Sequence, residues 1–217
     1  MKKLKTLLAG LLALSLLLCG CAGGTGAEER PLSLGHVTDG VYRNDYLDLS
    51  FSGEGWDIMA AEDIPQTPAK LMNAREGREL REAMAGMPGV LALMAIAPDQ
   101  QTNVNIAYSL AHGEQKAMDR EQFLDAFLES TDDLAAFYTD EGLEVSSVEV
   151  CNETFAGEQR RVIQILSEIN GEDACMLQII EKPYADVNAV ITITTTDPDR
   201  AFDILGQFDK PSLQTAN

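Results

Sequence analysis

Between Leu143 and Thr195 the chain passes through three or four strand-like segments, two of the connections between them hairpin-like. They run Leu143 to Cys151, Arg160 to Ile169, Ala174 to Glu181 and Ala189 to Thr195. Ala156-Gly157-Glu158 and Asn170-Gly171-Glu172 are hairpin-like connections, and Asn-Gly is the stronger signal because both residues tolerate positive φ. Consecutive hairpins force neighbouring strands to run antiparallel. Strands apolar on one side need a covering layer there. The expectation is an α+β fold: an antiparallel β-sheet of about six or seven strands with helices packed on it.

The upstream half supplies the other elements. Leu47, Leu49 and Phe51 alternate with Asp48, Ser50 and Ser52, a strand with one buried face, and Val41-Tyr42-Arg43 is its partner across Asn44-Asp45. Thr67-Pro68 opens a helix as N-cap and first-turn proline, with Met72, Leu80, Met84 and Met87 near one stripe. Arg75 with Glu79 and Arg78 with Glu82 are i,i+4 pairs on its wet side. Val90 to Ala97 is apolar throughout, as a strand covered on both faces requires. Val104, Ile106, Tyr108 and Leu110 alternate with Asn103, Asn105, Ala107 and Ser109. A helix spans Asp119 to Tyr138, with Asp119 and Gln122 as a capping box, and a last one starts at Asp197-Pro198 and buries Ala201, Phe202, Leu205 and Phe208. Trp56 is expected in the core.

The first residues concern location. Lys2, Lys3 and Lys5 precede an apolar run from Leu7 to Leu18, which has the length of a signal-peptide core and is short for a permanent span. It ends in Leu18-Cys19-Gly20-Cys21, which resembles the bacterial lipobox. Cys21 fits the acylated position, whereas Cys19 would have Leu18 where a small residue belongs. The resemblance implies acylation of the Cys21 sulfur, palmitate-like chains, and cleavage after Gly20. Several acyl chains on one residue anchor stably where a single chain does not. The chain then divides into a lipoprotein signal peptide (1–20), a lipidated flexible tether (21–39), one globular domain (40–210) and a C-terminal tail (211–217). The expected location is the cell membrane, lipid-anchored on its extracytoplasmic face.

Losing Lys2, Lys3 and Lys5 with the leader takes the formal charge from −19 to −22. Such a surface is repelled by nucleic acid and by anionic headgroups, so nucleic acid is excluded as a partner and the domain should stand off the membrane. A cationic partner or loosely held divalent ions are compatible with it. Cys151 and Cys175 remain after Cys21. Two cysteines are no disulfide scaffold, and their pairing stays open.

Gly40-Val41-Tyr42-Arg43-Asn44-Asp45-Tyr46-Leu47-Asp48-Leu49-Ser50-Phe51, followed by Gly55-Trp56, resembles the opening of PsbP-like domains. The order of elements that follows is similar over Gly40 to Phe208. One departure is Gly53, where the family carries proline before the tryptophan. The resemblance implies a three-layer α/β/α sandwich that acts by docking to partners; it carries no functional residue onto this chain.

Catalytic patterns are sparse. His36 and His112 are the only histidines, too few for a His-based metal site, and His112-Gly113-Glu114 lacks the second histidine of a zincin motif. No Gly-x-Ser-x-Gly elbow or phosphate loop occurs. Asp132-Asp133 and Asp140-Glu141 with Glu144 are the densest carboxylates, and runs of this kind are usually solvated faces. No catalytic, metal or cofactor residue is therefore assigned; Cys21 is the one assigned site, for lipidation. The expected function is that of a non-enzymatic accessory or protein-docking lipoprotein with an envelope protein as partner. The alternatives are a small-molecule or cation-binding module with a cleft between sheet and helices, and, remotely, a carboxylate-dependent hydrolase needing two buried acids in one cavity.

Overall fold

The computed structural model describes residues 30–211 apart from 66, 75, 130–134, 137, 140–142, 170 and 185. Eleven strands form two antiparallel sheets among these residues. The small sheet holds β1 (His36–Thr38), β2 (Val41–Asn44), β3 (Leu49–Ser52) and β11 (Phe208–Asp209), in that order. The large sheet has the order β4-β5-β6-β10-β9-β8-β7, with β4 Asp57–Ala60, β5 Val90–Ile96, β6 Asn103–Leu110, β7 Glu144–Phe155, β8 Glu158–Ile169, β9 Glu172–Tyr184 and β10 Val187–Thr195. The four late strands are longer than their apolar patterns suggest, because each pair zips up to its turn: Phe155 faces Glu158 and Ile169 faces Glu172.

Helices lie on both faces of the large sheet. On one face α1 (Ala69–Asn73), α2 (Gly77–Met84) and α4 (Pro198–Leu205) join the small sheet in a single core. That core includes Leu71, Leu80, Met84, Ala201, Ile204 and Leu205, against Val104, Ile106, Leu177, Ile179, Ile191 and Ile193 of the strands. On the other face α3 (Arg120–Leu128) packs Phe123, Leu124 and Phe127 on Ile163, Ile165, Met176 and Ile180 in a separate core. Among the described residues, two sheets with helices on both faces of the larger one make this an α+β fold with α/β/α layering.

Local signals set two helix starts as expected. Asp119 accepts from Gln122 N at 2.8 Å while Gln122 Oε1 accepts from Asp119 N at 3.0 Å. Asp197 accepts from Asp199 N at 3.0 Å, and Pro198 fills the first helical position. Past Leu128 the expected helix to Tyr138 runs largely outside the described residues. The last helix stops at Leu205, and Phe208 belongs to β11, opposite Phe51.

Three expectations are corrected. The tether does not extend to Asp39: Leu32 is fully buried, Leu34 is buried, and His36–Thr38 pairs with β2, so packing starts by Arg30 to Leu32 instead of Gly40. The Asp39-Gly40 turn of that hairpin has φ of 52° and 72°, the paired left-handed residues a two-residue loop demands. Second, the single helix from Thr67 is two helices. Gly77 has φ +62°, its N–H donates to Leu32 O at 2.7 Å, and Ser33 bridges Glu76, so the N-terminal segment interrupts the ladder there. Pro68 is the N-cap, and Thr67 Oγ1 donates to Ala61 O at 2.7 Å. Arg78 and Glu82 do pair, at 3.5 Å and well exposed; Arg75 lies outside the described residues. Third, Asn44 is no turn residue: it ends β2, is 1 % exposed, and leaves a loop of 45–48 before β3.

Gly53 has a structural reason. Trp56 packs edge-on against Phe51, ring centroids 5.3 Å apart, and its ring lies over the bare Cα of Gly53, where a Cβ would meet Cδ1 at 2.1 Å. Trp56 is thus partly buried against the main core, and a proline at 53 is incompatible with this indole position.

Candidate functional site

The residues singled out from sequence do not converge. Cys21, Asp132, Asp133, Asp140 and Glu141 lie outside the described residues. Glu144 is exposed at the start of β7. His36 is exposed on β1, and His112 is exposed in the segment after β6. Among the described residues no three His, Cys, Asp or Glu side chains are grouped to hold a metal ion, and no aspartate or glutamate is buried. Cys151 on β7 and Cys175 on β9 are both free thiols. β8 runs between them, and two strand spacings of roughly 4.8 Å already exceed the Cα separation a disulfide spans, about 7 Å. Burial raises both thiol pKa values, so neither is a ready nucleophile.

What the fold does assemble is polar and buried. The first cluster is a tyrosine hub where the N-terminal segment meets both sheets. Asn44 Nδ2 donates to Tyr42 Oη at 2.7 Å and to Tyr108 Oη at 2.9 Å, with Ser33 O at 3.3 Å, while its Oδ1 accepts from Leu47 N at 3.0 Å. Tyr42 in turn donates to Leu34 O at 2.8 Å. Tyr46 packs edge-on against Tyr108, and Tyr184 lies beside it with centroids 5.0 Å apart. Arg30 N donates to Tyr184 Oη at 2.9 Å. Burial pushes the Tyr42 and Tyr108 phenols up, against the opposing pull of the Asn44 bond, so both stay protonated and keep their donors. The hub pins Arg30 to Leu34 where that segment crosses the two sheets.

The second cluster lies on the α3 face of the central strands. Asn103 stands opposite Thr194, and Asn105 opposite Thr192, which faces Gln178. Alternation marks Asn103 and Asn105 as wet, yet both are buried in the folded domain. Tyr138 Oη accepts from Gln178 Nε2 at 2.9 Å. Asn103 Nδ2, Thr194 Oγ1 and Gln178 Oε1 have no hydrogen-bond partner among the described residues. An unmatched buried polar group costs about 1–3 kcal/mol, so three approach the whole stability of an ordinary domain, about 5–15 kcal/mol. A neutral hydrogen-bonding molecule, water included, would relieve that cost.

The third is an ion network at the far end of the long strands. Arg160 sits between Glu158 and Glu181, the latter at 2.7 Å, and Lys210 reaches Glu158 at 2.7 Å. Arg161 bridges to Asp125 of α3 at 2.6 Å and Glu121 at 3.3 Å. The Lys210 bond, outweighing burial and joined by Arg160, holds the Glu158 carboxyl below the usual range. Asp99, in the β5–β6 turn, is also held low. Burial pushes it up, but the Gln101 and Thr102 bonds and the Arg200 charge together prevail.

No family model matches the chain, and no curated protein matches it. Among solved structures it is similar to the solution structure of cyanobacterial PsbP (CyanoP) from Synechocystis sp. PCC 6803. The match covers 88% of this chain and 98% of that one, with 11% identity and a TM-score of 0.39. At that score the fold rests on this chain's own strand registers and packed layers.

Proposed function

We propose that this chain is a lipoprotein anchored through Cys21 on the extracytoplasmic face of the cell membrane, with a non-catalytic accessory role exercised by docking to an envelope protein. The observation that carries it is Leu18-Cys19-Gly20-Cys21 placed a short way ahead of a domain in which Leu32 is already fully buried. Eight residues separate Cys21 from Arg30, a reach of at most roughly 30 Å when fully extended. The anchor therefore holds the domain close to the headgroups while its acidic surface resists lying on an anionic bilayer. The test is intact mass and fractionation from the native host. Diacylglycerol and acyl mass on Cys21, with release to the soluble fraction on Cys21→Ser, is expected; an unmodified Cys21 overturns the anchor. Recovery of no protein above a charge-matched control in an envelope pull-down overturns the docking role.

A second reading is favoured by the unmatched Asn103, Thr194 and Gln178 atoms: a module for a small neutral molecule held between the sheet and α3. These atoms are sealed from solvent, so entry needs the covering layer to shift. A neutral amide or sugar that raises the melting temperature of the wild type, but not of Asn103→Leu, would support it. A thermal profile flat across such a screen removes it.

A further inference from the structure

Among the described residues the outer edge of the large sheet is β7, which pairs on one side only, with β8. A strand of twelve residues leaves a row of main-chain donors and acceptors along its other side. β7 carries Glu144, Glu149 and Glu153 and no lysine or arginine. Its neighbours do not neutralise it. Arg160 stands opposite Glu153 and Arg161 opposite Asn152, but their guanidinium groups turn to Glu158 and Glu181 and to Asp125 and Glu121. The charges of Glu153 and Glu149 also reach the Cys151 thiol between them, adding to the upward push of burial. In mid-strand Val150 is 43% exposed, and Met72 is the other exposed large apolar side chain among the described residues.

We propose that the β7 edge is a docking strip for an extended cationic segment of a partner protein. The segment adds as a further antiparallel strand, with basic side chains against Glu149 and Glu153 on one face and an apolar side chain beside Val150 on the other. This rests on the docking reading above and names the surface and the chemistry of its occupant. Strand addition draws affinity from main-chain hydrogen bonds and specificity from alternate side chains, so the matching segment alternates basic and apolar residues. A second copy of this chain is the wrong occupant: antiparallel pairing of β7 with itself would bring only glutamates to its charged positions, and like charges across strands are destabilising. The competing explanation is that the glutamates and the irregularity between Val145 and Ser147 merely protect a free edge from aggregation.

The test uses the mature lipidated protein in phosphatidylcholine nanodiscs, which carry no net lipid charge. It is titrated with a ten-residue peptide alternating lysine and valine, and with the same peptide N-methylated at alternate amides along one edge. The charge is identical, but the second peptide cannot pair. The unmethylated peptide is expected to bind at least about tenfold tighter and to slow hydrogen exchange at β7 amides. The double variant Glu149→Lys with Glu153→Lys is expected to lose about tenfold or more in affinity with its melting temperature kept within a few degrees. Equal affinity for the two peptides, or protection that falls elsewhere than β7, overturns the proposal whatever the variant does. An envelope protein recovered equally by wild type and variant also removes the edge, yet leaves the docking reading standing; no recovery by wild type removes that reading itself.

Discussion

Replacing Asn44 by alanine is the sharpest probe of the tyrosine hub. The change removes the amide that donates to Tyr42 Oη and Tyr108 Oη, and the acceptor of Leu47 N at 3.0 Å. Water cannot replace it without opening the site, because Asn44, Tyr42 and Tyr108 are all 1 % exposed or less. Each stranded group costs about 1–3 kcal/mol, and such losses within one network are not additive. Tyr42 still donates to Leu34 O, which limits its own loss. The expected total is about 3–5 kcal/mol, a large share of a typical stability of about 5–15 kcal/mol. For a domain of this size about 1 kcal/mol moves the melting temperature by roughly 2–4 °C, so a fall of roughly 6–20 °C is expected. Urea unfolding followed by the emission of the single tryptophan, Trp56, measures it directly, since that ring packs on Phe51 of the small sheet. Asn44→Asp keeps the shape but loses the donors, and should be at least as damaging. Tyr42→Phe strands only Leu34 O and the amide's share of one bond, and should cost about 1–2 kcal/mol. A loss below about 1 kcal/mol for Asn44→Ala would show that the network is a by-product of packing and refute the reasoning.

Other perturbations follow from the same geometry. Gly35→Ala places a Cβ at 2.6 Å from the Tyr42 ring and 2.7 Å from Arg43 O, at φ +76°; a loss of about 2–4 kcal/mol in chemical unfolding is expected, and a neutral result would show that the segment can shift. Asp99 and Glu158 are held below their ordinary pKa values, so their stabilisation is full above the unfolded-state range, near pH 4, and fades as pH falls through the lower folded-state values. Asp99→Asn should flatten that acid limb of a stability–pH curve, and an unchanged limb counts against the assigned cause. Cys151 and Cys175 should stay unbridged under mild oxidation, with no reductant-dependent mass change, and Cys175 should react with a thiol reagent only after unfolding. An oxidised mass two hydrogens lighter would contradict the registers of β7, β8 and β9.

Elements whose cause is local are legible in the residues alone. The Asp119–Gln122 box, the Asp197-Pro198 start, the Ala156-Gly157 turn and the left-handed Gly171 act within a few residues, and each sits where its chemistry requires. The run from Val90 needs only its own composition to be read as a doubly covered strand. The resemblance of Leu18 to Cys21 to a lipobox is also read from neighbouring residues alone, and Cys21 is the one site residue that the sequence proposes.

Tertiary structure decided everything that depends on a distant partner. Leu32 and Leu34 look like tether residues until Gly77 and Tyr42 donate to their carbonyls, and the Gly77 contact also splits the helix after Thr67. Asn44 has the composition of a turn but becomes the hub because Tyr108, 64 residues away, brings its phenol to it. Asn103 and Asn105 alternate as a wet face should, and only the folded domain makes them buried. Spacing along a chain reports which way a side chain points; whether water or another layer waits there is set by contacts of long sequence separation. Ordering β7 at the outside of the sheet is the same kind of fact, which is why its open edge is visible only in three dimensions.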